Sequence, residues 1–336
     1  MKRKISVVLV LCLAFLVVGC SDNTNEVIKQ KPMVIMLTGV AGIGDQSFND
    51  SIWASLEKAQ EETEVEIRCI ESKDKRDFKS NIKIAAQDNP ALVVCVGSEY
   101  RTVLNKVAEK YKDTKFLLVD DETVGENVSS ISFAENESGF LAGVSAAMET
   151  KSKIVGFVGG EKIKSIKEFN YGFIAGVKSI DEEITVISEF TGNFNDKDSG
   201  FNLAKKQNEL GADVIFQAAG IGGLGVIECA GENDFWVIGV DKDQSMLNSK
   251  HVLCSAIKNF DEGIMEAVKK AEKGEFQSQN KVYDLKENGV GISDRAGNLS
   301  PETKEVIAIW TKAIEDKKVI VPDSLVSLES YEIPEI

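Results

Sequence analysis

Short apolar runs alternate with helix-period segments along most of the chain. Ten runs have the length and composition of strands, and several are apolar at every position, which is typical of parallel strands covered on both faces. The predicted strands are Val34–Thr38, Val65–Ile70, Ala91–Val96, Phe116–Val119, Ile131–Phe133, Ile154–Val158, Ile184–Phe190, Val214–Gln217, Phe235–Val240 and Val252–Ile257. The predicted helices are Phe48–Glu61, Asp77–Ala86, Tyr100–Tyr111, Ser138–Met148, Ile166–Ile180, Asn202–Leu210, Phe260–Glu272 and Pro301–Glu315. This alternation predicts an α/β fold with parallel sheets.

The pattern restarts at Ile154, where KIVGFVGG repeats the strand and Gly-rich turn of VIMLTGVAG. Two similar α/β lobes therefore explain the pattern better than one sheet of ten strands. We expect a first lobe of residues 33–134 plus about 258–288 and a second of 135–257 plus about 289–336, so that the chain crosses between them more than once. In such a pair the ligand lies in the crevice at the carboxyl ends of the strands.

The first 20 residues, MKRKISVVLVLCLAFLVVGC, have the layout of an export signal. A basic start precedes an apolar run that is too short to span a bilayer comfortably. Its end resembles a bacterial lipobox, which predicts removal of residues 1–19 and diacylation of Cys20, with residues 20–32 as a polar tether. The alternatives are a plain signal peptide with a chance cysteine or an uncleaved anchor. We expect the protein on the extracytoplasmic face of the cell membrane.

Composition excludes several classes of function. The net charge is −15, and loss of the three positive charges in the export signal makes it −18, so nucleic-acid binding is not expected. The single histidine, His251, argues against histidine-based triads and multi-histidine metal sites. The four cysteines beyond Cys20 have no C-x-x-C spacing and are expected to be buried and unpaired.

One glycine motif matches a dinucleotide fingerprint. Gly220-Ile221-Gly222-Gly223-Leu224-Gly225 follows a predicted strand, opens a helix and precedes Asp241 by 16 residues. Its position in the middle of an exported chain argues against a dinucleotide. We keep Gly222 as a candidate ligand contact, because glycines permit close backbone approach and amides at a helix N-terminus can face the cleft.

A second motif, Gly42–Asp50, leads from the first strand into the first helix. Phe48 could stack on a planar ligand, and Asp45 could accept from ring or exocyclic N–H groups, with Asn49 beside them. Alternatively, Phe48 is the first core residue of the helix and Asp45 is its cap.

Charged residues also follow several predicted strands. Asp120 and Asp121 follow FLLV, Asp241 follows WVIGV, and Lys258 closes Val252–Ile257. Carboxylates there could accept hydrogen bonds from a sugar diol, and the lysine could donate to a ribose oxygen. Strand-end aspartates are also common turn formers, and Lys258 could be a solvated lysine.

Several of these segments together resemble the basic membrane protein (Bmp/PnrA-like) family of substrate-binding lipoproteins. The segments that carry the resemblance, in chain order, are the lipobox, GIGDQSFND, FLLVDD, SFAENESGFLAGVSAAMETKSKIVGFVGG, EFNYGFIAGVK, AAGIGGLGVIECA, VIGVDKDQ and VLCSAIKNFDEGI. The resemblance implies a type I periplasmic-binding fold with two Rossmann-like lobes. It also implies a purine nucleoside as ligand, ABC permease subunits as partners, no catalysis, no cofactor and no metal.

The resemblance assigns roles to particular residues. The family's D-D-K-S-F reads Gly44-Asp45-Gln46-Ser47-Phe48 here, so the base-contacting acid and the stacking ring are kept while two positions differ. Asp120 matches the strand-end acid, Asp241 the ribose acid and Lys258 the family's lysine. The second aromatic over the base is Phe194 or, as the reserve, Phe169.

We therefore expect a lipid-anchored, monomeric nucleoside receptor. Two alternatives from other classes remain. A sensor or adhesin lipoprotein would differ in its partner, and an exported nucleoside-processing enzyme would need an acid cluster for a metal or a general acid near the cleft.

Overall fold

The computed structural model describes residues 31–123 and 125–336, and residues 31–336 form one compact unit. The predicted export signal and the Cys20 lipidation site lie outside the described residues. Within the described part, no helix is both long and apolar enough to cross a membrane.

Twelve strands alternate with ten α-helices over the described residues. The strands are Met33–Leu37 (β1), Glu66–Ile70 (β2), Leu92–Val96 (β3), Phe116–Val119 (β4), Val128–Phe133 (β5), Ile154–Gly159 (β6), Thr185–Phe190 (β7), Val214–Ala218 (β8), Trp236–Asp241 (β9), Val252–Lys258 (β10), Asn280–Tyr283 (β11) and Val290–Ser293 (β12). The helices are Phe48–Glu62 (α1), Phe78–Gln87 (α2), Arg101–Ala108 (α3), Glu135–Glu149 (α4), Lys164–Ile180 (α5), Lys197–Glu209 (α6), Ile221–Asn233 (α7), Asp261–Glu272 (α8), Pro301–Glu315 (α9) and Leu325–Glu329 (α10).

The strands form two six-stranded sheets, which confirms the predicted fold class. Their orders are β11-β5-β4-β3-β1-β2 and β12-β10-β9-β8-β6-β7. Every pair is parallel except β10 with β12. The chain passes between the sheets three times, after β5, β10 and β11. The predicted lobe boundaries stay a prediction.

Burial on both faces explains the continuously apolar strands. In β1, Val34 and Met36 pack in one core cluster while Ile35 and Leu37 pack in another on the opposite face. Successive side chains of a strand point to opposite faces, so a strand covered by helices on both sides needs apolar residues throughout.

The described cysteines, Cys69, Cys95, Cys229 and Cys254, are free, as expected. Cys69 differs in being only partly buried, because β2 is the edge strand of its sheet.

The strand order positions a ligand site in each sheet. In each, the order reverses between the first strand and the third: between β1 and β3 in one sheet and between β6 and β8 in the other. The turns that leave these strands diverge to opposite faces, which opens a crevice at their carboxyl ends.

Candidate ligand-binding site

A cavity of about 660 Å³, including its open mouth, lies where the carboxyl ends of the two sheets meet. Its size is within the range of about 300–1,000 Å³ that is usual for small-molecule sites. Both sheets line it, the first through the turns after β1, β3 and β4 and the second through those after β6, β7 and β8 and the ends of β9 and β10. Eight of the nine predicted ligand residues line it: Asp45, Phe48, Asn49, Asp120, Phe169, Phe194, Asp241 and Lys258.

Gly222 is the exception, and its place is taken by Gly220, which lines the cavity with a backbone φ of +58°. A Cβ added to Gly200 would lie 1.9 Å from the carbonyl oxygen of Gly222, and one added to Gly225 would lie 2.0 Å from that of Lys197. The glycine motif therefore brings the backbones of α6 and α7 into contact. Helix packing accounts for these glycines without a dinucleotide.

Asp45 holds the loop that enters α1. Its carboxylate accepts hydrogen bonds from the backbone N–H groups of Ser47, Asn49 and Asp50 at 2.8–3.1 Å and from the Asn49 side chain at 2.8 Å. Burial raises the pKa of Asp45, and these hydrogen bonds oppose the rise. A carboxylate has about four acceptor sites, so the loop occupies the whole capacity of Asp45. Asn49 accepts from the Gly39 amide at 3.0 Å and keeps one amide proton for the cavity.

Asp120 and Asp241 end strands of different sheets and line the cavity from opposite sides. The Ser47 hydroxyl donates to one oxygen of Asp241. Burial raises the pKa of Asp241 to about 6, against the lowering effects of Lys258 and Ser47, so this carboxylate is ionised at neutral pH. Asp121, the other acid after β4, instead pairs with Arg101 at 3.1 Å and does not line the cavity.

Lys258 lies at the centre of a buried ion cluster, with its side chain only 2% exposed. Its Nζ atom is 2.6 Å from Asp120 Oδ1 and 2.9 Å from Glu135 Oε1. Burial alone would lower the pKa of Lys258, but the charges of Asp120, Glu135 and Asp241 outweigh it and raise the pKa. Four aromatic rings surround Nζ at 5.2–5.9 Å from their centroids, those of Phe48, Phe133, Phe169 and Phe260.

Three aromatic rings line the cavity, and their environments differ. Phe48 is partly buried and packs edge-on against Phe260 at 5.6 Å. Phe169 is 1% exposed and packs edge-on against Phe216 at 5.7 Å. Phe194 is partly exposed and lies against Gly160 and Gly220, where any side chain would collide with its ring or its backbone.

Two acids at the site were missed from the sequence. Glu135 begins α4 and pairs with Lys258, while Glu99 follows β3, lines the cavity and pairs with Lys75 at 2.5 Å. Position could have identified Glu99, since it follows the carboxyl end of a central parallel strand. Glu135 has no such local signal.

Side chains from the two sheets also meet at the mouth of the cavity. Lys75 Nζ is 2.9 Å from a carboxylate oxygen of Glu161, which follows β6. Because Lys75 also pairs with Glu99, it connects the turn after β6 to the turn after β3. Gln244, after β9, donates to the Gln46 carbonyl at 2.9 Å. These contacts join turns that follow strands of different sheets.

Two doubly wound sheets, three crossings and a polar and aromatic cleft between the sheets define a ligand-binding protein of the periplasmic type I fold. The chain belongs to the Bmp family, whose sequence profile, described as ABC transporter substrate-binding protein PnrA-like, matches residues 33–324. Proteins of this family bind a ligand for the membrane subunits of an ABC transporter.

Individual relatives agree with this assignment. The nucleoside-binding protein BmpA of an ABC transporter in Lactococcus lactis is 31% identical over 96% of this chain and 99% of its own. A lipoprotein of Pyrococcus abyssi is 31% identical over 95% of this chain and 82% of its own. Among solved structures, an ABC transporter solute-binding protein of Aeropyrum pernix has the same fold, with a TM-score of 0.81 at 24% identity over 89% of this chain and 96% of its own.

Proposed function

We propose that this protein is a lipid-anchored, monomeric receptor that captures purine nucleosides for an ABC importer. The observation that carries the proposal is that one cavity combines two partly exposed rings, Phe48 and Phe194, with two buried charged side chains, Asp241 and Lys258. Aromatic faces suit a flat base, and a carboxylate beside an ammonium group suits a ribose diol. The name of the Lactococcus lactis relative gives independent support.

The proposed roles follow from the free hydrogen-bonding capacity of each group. One oxygen of Asp241 is engaged by Ser47, which leaves the other for a ribose hydroxyl. Lys258 has three ammonium protons, and Asp120 and Glu135 can take two of them, so the third remains for a ribose oxygen. Asn49 is the side chain that we propose for the base edge, since the loop occupies Asp45 fully.

Phe194 is the better candidate for the second ring over the base. Its partial exposure leaves a face free for stacking, whereas Phe169 is only 1% exposed. In this proposal Phe48 and Phe194 hold the base between them, and Phe169 lines the cavity behind them.

Calorimetry with inosine, 2′-deoxyinosine and hypoxanthine, on wild type and Asp241→Asn, tests the proposal. Each missing hydroxyl leaves a buried acceptor unpaired, so we expect the deoxynucleoside and the free base to bind more weakly by about 1–3 kcal/mol per lost hydroxyl. Asp241→Asn should remove much of this preference.

NAD is the control ligand. Tight NAD binding without measurable nucleoside binding would overturn the proposal in favour of a dinucleotide site. Release of free hypoxanthine from inosine would instead indicate a nucleoside-processing enzyme.

A further inference from the structure

Lys258 contacts two buried carboxyl groups in the cleft, those of Asp120 and Glu135, and the charge of a third, Asp241, acts on it without direct contact. This Lys258 cluster consists of Lys258, Asp120, Glu135 and Asp241, and the side chains of Lys258, Asp120 and Glu135 are 2%, 8% and 2% exposed. If all four groups were ionised, the cluster would carry two uncompensated negative charges out of contact with water. Burying such charge is costly, so a carboxyl group in this position retains a proton instead.

Among the three carboxyl groups of the cluster, Glu135 is the one whose negative charge is compensated least. Asp120 has the shorter contact to Lys258, and Asp241 receives a hydroxyl from Ser47. Burial raises the pKa of Glu135 to about 8, and nearby negative charges add to this effect while Lys258 opposes it. The positive end of α4 also favours the ionised form, but a helix end contributes at most about 2 kcal/mol, or about 1.5 pKa units.

Charges on several elements face this carboxyl group. Lys258 faces it from β10, Asp120 from the turn after β4, and Glu168 from α5, where Glu168 is paired with Lys164 at 2.7 Å. A second cavity, of about 470 Å³ including its open mouth, is lined by Glu135 together with Arg101, Asp120, Asp121, Glu122, Lys164 and Glu168. Asp120 and Glu168 disfavour the ionisation of Glu135, and Lys258 compensates it only in part because Lys258 also pairs with Asp120.

We propose that Glu135 is a positioning residue that binds a proton when the cleft closes on its ligand and so makes capture depend on pH. The inference rests on the proposed function. Protonated Glu135 lets Lys258 stay between the carboxyl groups with a proton directed at the ligand. Closure brings Asp120, on the first sheet, against Lys258, on the second. Lys258 then compensates the charge of Glu135 less, and Glu135 takes up a proton from solvent.

The direction of the pH dependence follows from linkage. A carboxyl group whose pKa is higher in the closed cleft than in the open one favours closure below that pKa, and the advantage is lost as pH rises through it. If Glu135 binds one proton and its pKa in the closed cleft is about 8, the affinity for the ligand falls by up to about tenfold between about pH 7 and pH 9. At neutral pH, binding takes up close to one proton.

Calorimetry with inosine on the full chain, between about pH 6.5 and pH 9.5 and in buffers of different ionisation enthalpy, tests the inference. Wild type should lose affinity on the alkaline side and take up a proton. Glu135→Gln, which mimics the protonated acid, should show no alkaline loss of affinity and take up no proton.

Glu137→Gln is the matched control, since Glu137 lies in the same helical turn. Burial also raises its pKa, but its neighbours are Asp284, Glu315 and Lys317, and it accepts a hydrogen bond from the Leu285 amide. This variant should keep the alkaline loss of affinity. A pH-independent wild type, or an alkaline loss that persists in Glu135→Gln or disappears in Glu137→Gln, would overturn the inference.

Urea unfolding of the same proteins separates this inference from the proposed function. Failure to bind inosine at every pH contradicts the proposed function alone. With inosine at a saturating concentration, a wild-type free energy of unfolding that does not fall relative to Glu135→Gln between about pH 7 and pH 9 contradicts the role of Glu135. If Glu135→Gln does not fold, proton uptake by wild type decides the question.

Discussion

The two strand-end aspartates of the cavity have backbones in the left-handed region, with φ of +75° at Asp120 and +66° at Asp241. Such a conformation costs about 1–3 kcal/mol in most residues, although aspartate tolerates it better than others. Both residues end central strands, whose hydrogen bonds on either side fix the preceding backbone. Both residues line the cavity, so local strain occurs at two positions of the proposed ligand site.

Phe48 packs against the hydrophobic core and also lines the cavity, and a substitution can separate its contribution to stability from its contribution to binding. Phe48→Leu keeps apolar volume but removes the aromatic face, so we expect nucleoside binding to weaken by about 1–3 kcal/mol, the range for base stacking. The accompanying loss of stability should stay well below the ~3–5 kcal/mol of a full core truncation. Calorimetry and urea unfolding on one protein measure both quantities.

The matched control is Phe140→Leu, because Phe140 is fully buried on α4 against Trp310, at 5.0 Å between ring centroids. It should lose stability and keep its affinity. If Phe48→Leu behaves in the same way as Phe140→Leu, Phe48 is a core residue and does not stack on the ligand.

At the scale of elements, the contact between α6 and α7 is made possible by glycine. The helices approach closely enough that Gly200 faces the carbonyl of Gly222, and Gly225 faces that of Lys197. The same α7 begins at the cavity with Gly220, whose positive φ turns the chain from β8 into the helix. The motif thus fixes the orientation of a helix that borders the site.

Gly225→Ala should destabilise the protein, because the new methyl group would meet the Lys197 backbone and force α6 and α7 apart. Overpacking of this kind costs about 1–3 kcal/mol. The free energy of unfolding in urea measures this loss, and inosine affinity should change little.

Gly231→Ala, in the same helix, is the control. The Cβ at this position would meet only the Asn248 side chain within 3 Å, which can move. Alanine also favours a helix over glycine by about 1 kcal/mol, so this variant should be neutral or more stable. Equal stability of the two variants would contradict the packing role of the motif.

At the scale of the whole molecule, turns from different sheets contact each other beside the cleft, and we expect these contacts to favour a closed cleft. Lys75 is half exposed and joins Glu99 of the first sheet to Glu161 of the second. An exposed ion pair contributes about 0–1 kcal/mol, so this tie influences the rate of opening more than the choice of ligand.

Glu161→Gln should therefore speed inosine dissociation by up to about fivefold at low salt, with a smaller effect at high salt because salt screens the pair. Stopped-flow dissociation measures this rate. Glu183→Gln is the control, since Lys153 also bridges two acids, Asp181 at 3.1 Å and Glu183 at 2.8 Å, but all three residues precede strands of the second sheet. An equal effect of both substitutions would contradict the role of Lys75 in closure.

The proposed lipid anchor also concerns the whole molecule. Cys20→Ser should release the protein from the membrane fraction or leave it unprocessed, because the proposed acyl chains are its membrane attachment. Cell fractionation with labelled palmitate measures both effects, and unchanged lipid labelling of the variant would contradict the lipobox interpretation.

Much of the fold could be predicted from sequence because its rules are local. All ten predicted strands are present with ends within three residues, since strands buried on both faces require continuous apolar runs. The position of Asp120, Asp241 and Lys258 at the cavity follows from the same pattern, because residues that end parallel strands lie at one edge of a sheet. Strand ends and the start of α1 thus identified six of the eight predicted residues that line the cavity.

The tertiary structure alone decided the rest. Strands β11 and β12 lack an apolar run because they are short edge strands, and β11 pairs with β5, about 150 residues away. The contacts that explain Gly222 and Glu135 are likewise made by residues distant in sequence. The periodicity of a sequence indicates which side of an element is buried. It does not indicate which residues cover that side or what charge they carry, because both depend on how the two sheets meet.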